Sequence, residues 1–215
     1  MDSHSEIDRS MAAIQANQLG KRFGSLVAVN SLSFEVFPGE IFGLVGPDGA
    51  GKTTALRLLA TIMAPSSGTG RIGGFAIDTE AARAKEKLAY MSQRFALYPD
   101  LTVAENIDFY ADLYGVALAG RRHRIEELLD FSGMRPFLKR QAGKLSGGMK
   151  QKLQLVCALI HTPAVLLLDE PTNGVDPVSR RDFWRICTGC CVTVSPSWLP
   201  PPSSTRPNGV TGSPC

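Results

Sequence analysis

Eight consecutive residues, Gly46-Pro47-Asp48-Gly49-Ala50-Gly51-Lys52-Thr53, have the types and spacing to hold a phosphate group. They satisfy G-x-x-x-x-G-K-[ST], in which glycines let backbone N–H groups turn inward around an anion. A helix opening directly behind such a loop adds its positive N-terminal end. In that arrangement Lys52 reaches the β- and γ-phosphates of a nucleotide and the Thr53 hydroxyl ligates Mg²⁺. Thr54, the first residue after the motif, completes the cofactor-binding set. The bland alternative is a glycine-rich turn with an incidental lysine.

Two further groups could do chemistry beside that loop. Asp169 and Glu170 follow the apolar run Val165-Leu166-Leu167-Leu168. A carboxylate at a strand end near a phosphate loop can hold Mg²⁺ through water, and its neighbour can polarise an attacking water as general base. A solvated strand end is the plainer reading, and the phosphate loop is what lifts the pair above it. Leu145-Ser146-Gly147-Gly148-Met149-Lys150-Gln151 places small residues at a helix start, where Ser146 and the amides of Gly147 and Gly148 can approach an anion closely. Ser146 also suits a helix N-cap, and the two readings are compatible.

These residues need strands and helices to position them. Residues 14–36 read as strand, with Leu32, Phe34 and Val36 alternating against Ser31, Ser33 and Glu35. Ile41-Phe42-Gly43-Leu44-Val45 fits a short buried strand, and a helix is predicted over 54–60. Strand, loop, helix is the setting a phosphate loop requires. Strands are also predicted over 71–77, 88–91 and 164–168. Thr102-Val103-Ala104-Glu105 is a capping box that starts a helix. Helices are predicted over 121–132, 146–160 and 178–186, with Leu153, Val156, Cys157 and Ile160 forming one core stripe. The alternation predicts an α/β fold with a mostly parallel sheet and a helical block inserted over about 95–155.

Composition narrows the function. At 215 residues the chain suits one domain with subdomains. A net charge of +3, with basic residues scattered, gives no reason to expect nucleic acid. No run approaches the roughly 18 apolar residues of a membrane span, and Met1-Asp2-Ser3-His4-Ser5-Glu6 lacks the apolar stretch of a signal peptide. A protein like this that works at a membrane borrows its spans from a partner.

The segment 145–151 matches the LSGGxxQ signature, and with it the chain resembles the ATP-binding subunits of ABC transporters. The resemblance covers residues 13–186, with 1–12 as a lead-in. It implies a P-loop NTPase core with an N-terminal antiparallel β subdomain and an inserted helical subdomain. It further implies ATP and Mg²⁺ as cofactors, and an active site shared with a second ATPase domain arranged head to tail. Ser146, Gly147 and Gly148 would then bind the γ-phosphate held by the partner's loop. Gln93, in Tyr90-Met91-Ser92-Gln93, resembles the glutamine that senses Mg²⁺ and the γ-phosphate. Phe23 stands where the family stacks an aromatic on adenine, worth about 1–3 kcal/mol by analogy with nucleic-acid sites; a core aromatic is its other reading. Asn173-Gly174-Val175-Asp176 occupies the D-loop position. Lys52, Gln93 and Glu170 are the implied catalytic residues, and Thr53, Gln93 and Asp169 the implied metal set. A transmembrane permease is the implied partner, at the cytoplasmic face of the membrane.

Two departures stand out. The family usually has Asn where this chain has Asp48, and an added carboxylate should repel phosphate unless it faces away. The Asp form, with the segment 92–103, is similar to exporter ATPases of the ABC-2 type. The larger departure is the tail. Residues 187–215 hold four of the five cysteines and six of the fourteen prolines but a single charged residue, Arg206. Reading the possible codons one base earlier permits L-Y-R-L-L-R-D-G-V-T-V-L-V over 187–199 and D-E-A-E-R-C-D-R-V-A-L over 205–215. A one-base frameshift near residues 186–187 is therefore expected, with the C-terminal part of the fold missing, no strand after Ile186 and a disordered tail. Resequencing across that codon tests this, and an unbroken frame in independent isolates would sink it. Pro202 falls where the family places a γ-phosphate histidine, and its shifted codon cannot encode one. On this reading Cys187-Thr188-Gly189-Cys190-Cys191 imitates a C-x-x-C motif by accident.

The leading expectation is an ATP-hydrolysing subunit of an ABC exporter. A soluble ABC ATPase of translation or DNA repair, which usually carries two cassettes or long inserted arms, is the second. An inactive ATP-binding fragment is the third.

Overall fold

Apolar–polar alternation draws β1 (Ile14–Phe23) and β2 (Leu26–Val36) into an antiparallel hairpin in which Ile14, Ala16, Phe34 and Val36 face the core. This is a computed structural model, and it describes residues 11–93, 96–172 and 175–187, with the backbone of a strand at Val192–Ser195. The rest of the tail, most of the lead-in, and Asn173 and Gly174 lie outside the described residues. The described chain divides into two units. The first holds residues up to Leu88, Ala164–Leu167 and the last strand, and the second holds 89–163 and 168–187.

In the first unit β1 also pairs antiparallel with β4 (Ser67–Ile72), and β5 (Phe75–Ala76) adds a fourth strand, giving the order β2-β1-β4-β5. The register slips between Ala16 and Leu19, where Gln18 has φ 50°. The slip shifts the side-chain phase by one, so Ile14 and Ala16 are buried before it and Leu19 after it. Gly68 sits against this bulge, and a Cβ there would lie 2.1 Å from the Gln18 carbonyl oxygen. Only glycine fits that approach. The rings of Phe34 and Phe42 stack at 4.7 Å, joining β2 to β3 (Ile41–Gly43).

The second sheet has the order β3-β8-β7-β6, with β6 at Leu88–Met91, β7 at Val165–Leu168 and β8 at Val192–Ser195. β8 runs parallel to both neighbours, with Thr193 opposite Ile41 on one side and Leu166 on the other. This corrects the expectation that no strand follows Ile186. Val192, Thr193 and Val194 are β-branched, so their backbone favours the extended state whatever the reading frame that produced them. The edge of β7 is thereby paired. α1 (Lys52–Leu59) and α2 (Ala81–Glu86) are the helices of this unit.

The second unit is built on α3 (Val103–Leu113), α4 (Leu118–Ser132), α5 (Gly147–Leu159) and α6 (Pro177–Cys187). α4 is broken at Ala119 and Gly120, whose backbone is not helical. Val103, Ile107, Leu129, Leu153, Val156 and Ile160 are buried, and Cys157 is buried with them, its thiol pushed up by desolvation. The capping box forms as read: the Glu105 N–H donates to Thr102 Oγ1 at 3.2 Å and the Thr102 N–H donates to Glu105 Oε2 at 2.7 Å.

The Thr102 backbone N–H, and after it the hydroxyl, hold the Glu105 carboxyl below the usual glutamate range. Because the folded pKa is lowered, this contribution is present above the unfolded pKa and is lost as pH falls through the folded one. Thr102→Ala removes the hydroxyl but keeps the backbone N–H, so it should raise the Glu105 titration midpoint only part of the way toward that of an exposed glutamate, as read by carboxyl NMR shifts.

Asn106 is fully buried on α3 and ties the preceding loop to it. Its Nδ2 donates to the carbonyls of Tyr98, Leu101 and Thr102, and its Oδ1 accepts the Tyr98 N–H at 2.9 Å. Asn106→Ala strands several of those groups and should cost about 1–3 kcal/mol. A lower urea midpoint at unchanged slope would record it.

Candidate nucleotide-binding site

Residues 44–51 link β3 to α1 and carry the phosphate loop of the first unit. The Ala50 N–H donates to the Pro47 carbonyl at 3.2 Å, closing a tight turn. Gly49 and Gly51 have φ of 81° and 82°, the left-handed region that glycine enters freely. Gly51 is also the residue before α1, and a Cβ there would lie 2.0 Å from the Ala28 carbonyl oxygen of β2. The loop is thus pressed onto the antiparallel sheet at Ala28. α1 opens with no side-chain cap and no acidic residue in its first turn, so its positive end is left for an anion. Thr53 and Thr54 both lie in that turn, half-buried.

Lys52 is 13% exposed and curls back over the loop, donating to the carbonyls of Gly46 at 2.8 Å and Pro47 at 2.9 Å. Its ammonium lies 3.8 Å from Asp48 Oδ1, and the Asp48 side chain is fully exposed. The added carboxylate therefore competes for the lysine that would meet phosphate. With the carboxylate fully in solvent, water screens the pair, and interactions of this kind are worth at most about 1 kcal/mol. Asp48→Asn should accordingly tighten ATP-analogue binding by no more than about fivefold, measured by calorimetric titration.

Phe23 ends β1 opposite Leu26 and is 49% exposed, which removes the core-aromatic reading. The Lys21 ammonium lies 5.4 Å from its ring centroid. Leu26 is two residues from Ala28, about 7 Å along an extended strand. The hairpin tip therefore lies close to the point where Gly51 packs.

The carboxylate pair belongs to the second unit. The Asp169 N–H donates to the Met91 carbonyl at 2.9 Å, which sets the end of β7 against β6. Asp169 is 2% exposed, and the Tyr90 hydroxyl donates to its Oδ2 at 3.0 Å. Glu170 has φ 51°. A non-glycine residue held there costs about 1–3 kcal/mol, a strain that recurs at functional sites. The Gln93 side-chain amide donates to Glu170 Oε2 at 2.9 Å. Gln93 and Glu170, two of the residues implied as catalytic, are thus in contact although 77 positions apart. A half-buried carboxylate oriented by a neutral amide can accept a proton from water.

Ser146 caps α5, its Oγ accepting the Met149 N–H at 3.4 Å, and Ser146 and Gly147 are exposed. Gly148 is buried, and a Cβ there would meet Ser179 Oγ at 2.7 Å and Ser179 Cβ at 2.8 Å. This second glycine is required for the contact between α5 and α6. Asp176 accepts the N–H groups of Val178 and Ser179 at the start of α6, and chiefly the Ser179 bonds lower its pKa.

Three residues that sequence reasoning passed over now carry structure at the site: Tyr90, Ala28 and Ser179. Their partners lie 79, 23 and 31 positions away, and no local pattern signals such pairings.

A strand, a glycine-rich loop and a helix beginning at a loop lysine, set on a parallel sheet, define a P-loop nucleotide-binding domain. Residues 29–173 match the family model described as ABC transporter. The chain belongs to the ABC transporter family. The probable multidrug ABC transporter ATP-binding protein YbhF of Escherichia coli (strain K12) is 49% identical over 177 residues, covering 81% of this chain and 31% of that protein. The Nod factor export ATP-binding protein I of Paraburkholderia xenovorans (strain LB400) is 42% identical over 174 residues, covering 81% and 57%. The chain thus spans 31% and 57% of the length of these two relatives. A solved ATP binding subunit of an ABC transporter superposes with TM-score 0.76 at 26% identity, over 86% of this chain and 79% of that one.

Proposed function

We propose that this chain is the ATP-binding and ATP-hydrolysing subunit of an ABC transporter of the export type. The contact between Gln93 and Glu170, beside the buried Asp169, is the observation that carries the reading. Family membership supports it, as do two relatives, one named as a probable multidrug ABC transporter ATP-binding protein and one named for Nod factor export.

Lys52 would exchange its loop carbonyls for the β- and γ-phosphates of ATP, and Phe23 would cover the adenine. Thr53, Asp169 and Gln93 offer a hydroxyl, a carboxylate and an amide oxygen, the hard donors Mg²⁺ prefers. Among the described residues no group of three or more His, Cys, Asp or Glu could cage a metal. Bound Mg²⁺ supplies neutralisation of charge on the phosphates. Glu170 takes a proton from the attacking water while Gln93 holds its carboxylate in place.

Ser146, Gly147 and Gly148 would act on a nucleotide held by a second cassette, so the reading requires a head-to-tail pair. Among the described residues no helix is long and apolar enough to cross a membrane. A permease subunit would supply the spans, with this chain on the cytoplasmic face. Turnover per chain should rise with chain concentration as pairs form. Turnover independent of concentration would count against the shared site. Co-purification with a membrane protein supports the transporter reading, and co-purification with ribosomes or DNA contradicts it.

A further inference from the structure

We infer that Tyr90 is a positioning residue for Asp169, orienting that carboxylate toward the metal; the assignment rests on the ATPase reading above. The Tyr90 hydroxyl donates to Asp169 Oδ2 at 3.0 Å, across 79 positions of sequence. The next residue, Met91, accepts the Asp169 N–H at 2.9 Å. The backbone of Asp169 and its side chain are therefore both held by one strand, β6. With Oδ2 engaged, the carboxylate cannot turn about its Cβ–Cγ bond without losing that bond.

The same short segment holds the other carboxylate. Gln93, three residues beyond Tyr90, donates to Glu170 Oε2 at 2.9 Å. Residues 90–93 thus supply two neutral donors, one to each member of an adjacent like-charged pair. The left-handed backbone at Glu170 turns the chain between them. The neutrality of the donors is chemically significant. A lysine or arginine at either place would form an ion pair and compete with a metal cation or quench a base. A phenol and an amide orient the carboxylates and leave their charge in place. Asp169 is almost fully buried, so its orientation depends on such partners rather than on solvent.

Outer partners of metal-ligating carboxylates typically contribute about 10–100-fold in metal affinity. Tyr90→Phe removes one hydroxyl and keeps the ring, so the fold should persist with little change in thermal midpoint. The test is a titration of Mn²⁺, followed by electron paramagnetic resonance, into the full chain with a slowly hydrolysed ATP analogue. The half-saturating metal concentration should rise about tenfold in Tyr90→Phe. Affinity for the analogue in EDTA should stay unchanged, which separates an effect on the metal from a general loosening of the site. An unaltered metal dependence, or an equal loss of affinity in EDTA, overturns the inference alone. If the unmodified chain binds the analogue without any metal dependence, the ATPase reading falls and this inference with it.

Discussion

Replacing Glu170 by Gln should lower ATP turnover by about 10²–10⁴-fold and leave nucleotide affinity within a few-fold of the unmodified chain. The amide is isosteric with the carboxylate and keeps an oxygen able to accept the Gln93 N–H now seen at 2.9 Å. The orientation survives, and only the basicity is lost. Steady-state phosphate release with parallel binding isotherms separates the two effects. Unchanged turnover would remove Glu170 from the role of base. Equal loss of binding and turnover would mean that the substitution disturbs the site as a whole.

The second large effect is at Gly51, and a neighbouring glycine serves as its control. Both Gly49 and Gly51 adopt positive φ, but a Cβ at Gly49 meets nothing within 4 Å, whereas one at Gly51 meets the Ala28 carbonyl oxygen at 2.0 Å. Gly49→Ala should cost about 1–2 kcal/mol, the price of the left-handed backbone alone. Gly51→Ala adds the collision with main chain, for a total of roughly 2–5 kcal/mol. Relief requires the loop to lift from β2, which displaces Lys52 one residue later. Gly51→Ala should therefore weaken ATP-analogue binding far more than Gly49→Ala, beyond what its lower thermal midpoint explains. Equal effects at the two glycines would contradict the packing of the loop at Ala28.

What the sequence reveals depends on how far apart the partners lie. The phosphate loop is legible because its parts are consecutive and its chemistry is local backbone chemistry. The capping box at Thr102 and Glu105 and the stripe through Leu153, Val156, Cys157 and Ile160 are legible for the same reason: helical geometry turns short spacings into contacts. Gln93 is identifiable only by resemblance, since its bond to Glu170 joins residues 77 positions apart. Tyr90 stands three residues before Gln93 and looks like any strand tyrosine until Asp169 is placed opposite it.

The one-residue phase change in β1 was also hidden. The alternation that predicts a strand cannot show that Gln18 bulges and turns Leu19 inward. The strand at Val192–Ser195 went unread because the abrupt change of composition after Ile186 outweighed a run of only four residues. β-branched residues beside two parallel strands are sufficient to extend it. For Asp48 the sequence raised a concern about repulsion. The structure sharpens it, because the carboxylate acts through Lys52 at 3.8 Å.

Calorimetric titration of the 215-residue chain with a slowly hydrolysed ATP analogue and Mg²⁺, beside Lys52→Ala, tests the central claim most directly. Charge-assisted hydrogen bonds to phosphate are worth about 1.5–3 kcal/mol, so the substitution should weaken binding by roughly 10–150-fold. Saturable binding of one nucleotide per chain is expected, weakened by that factor in the variant. Absence of saturable binding, or equal affinity in the two proteins, would contradict it.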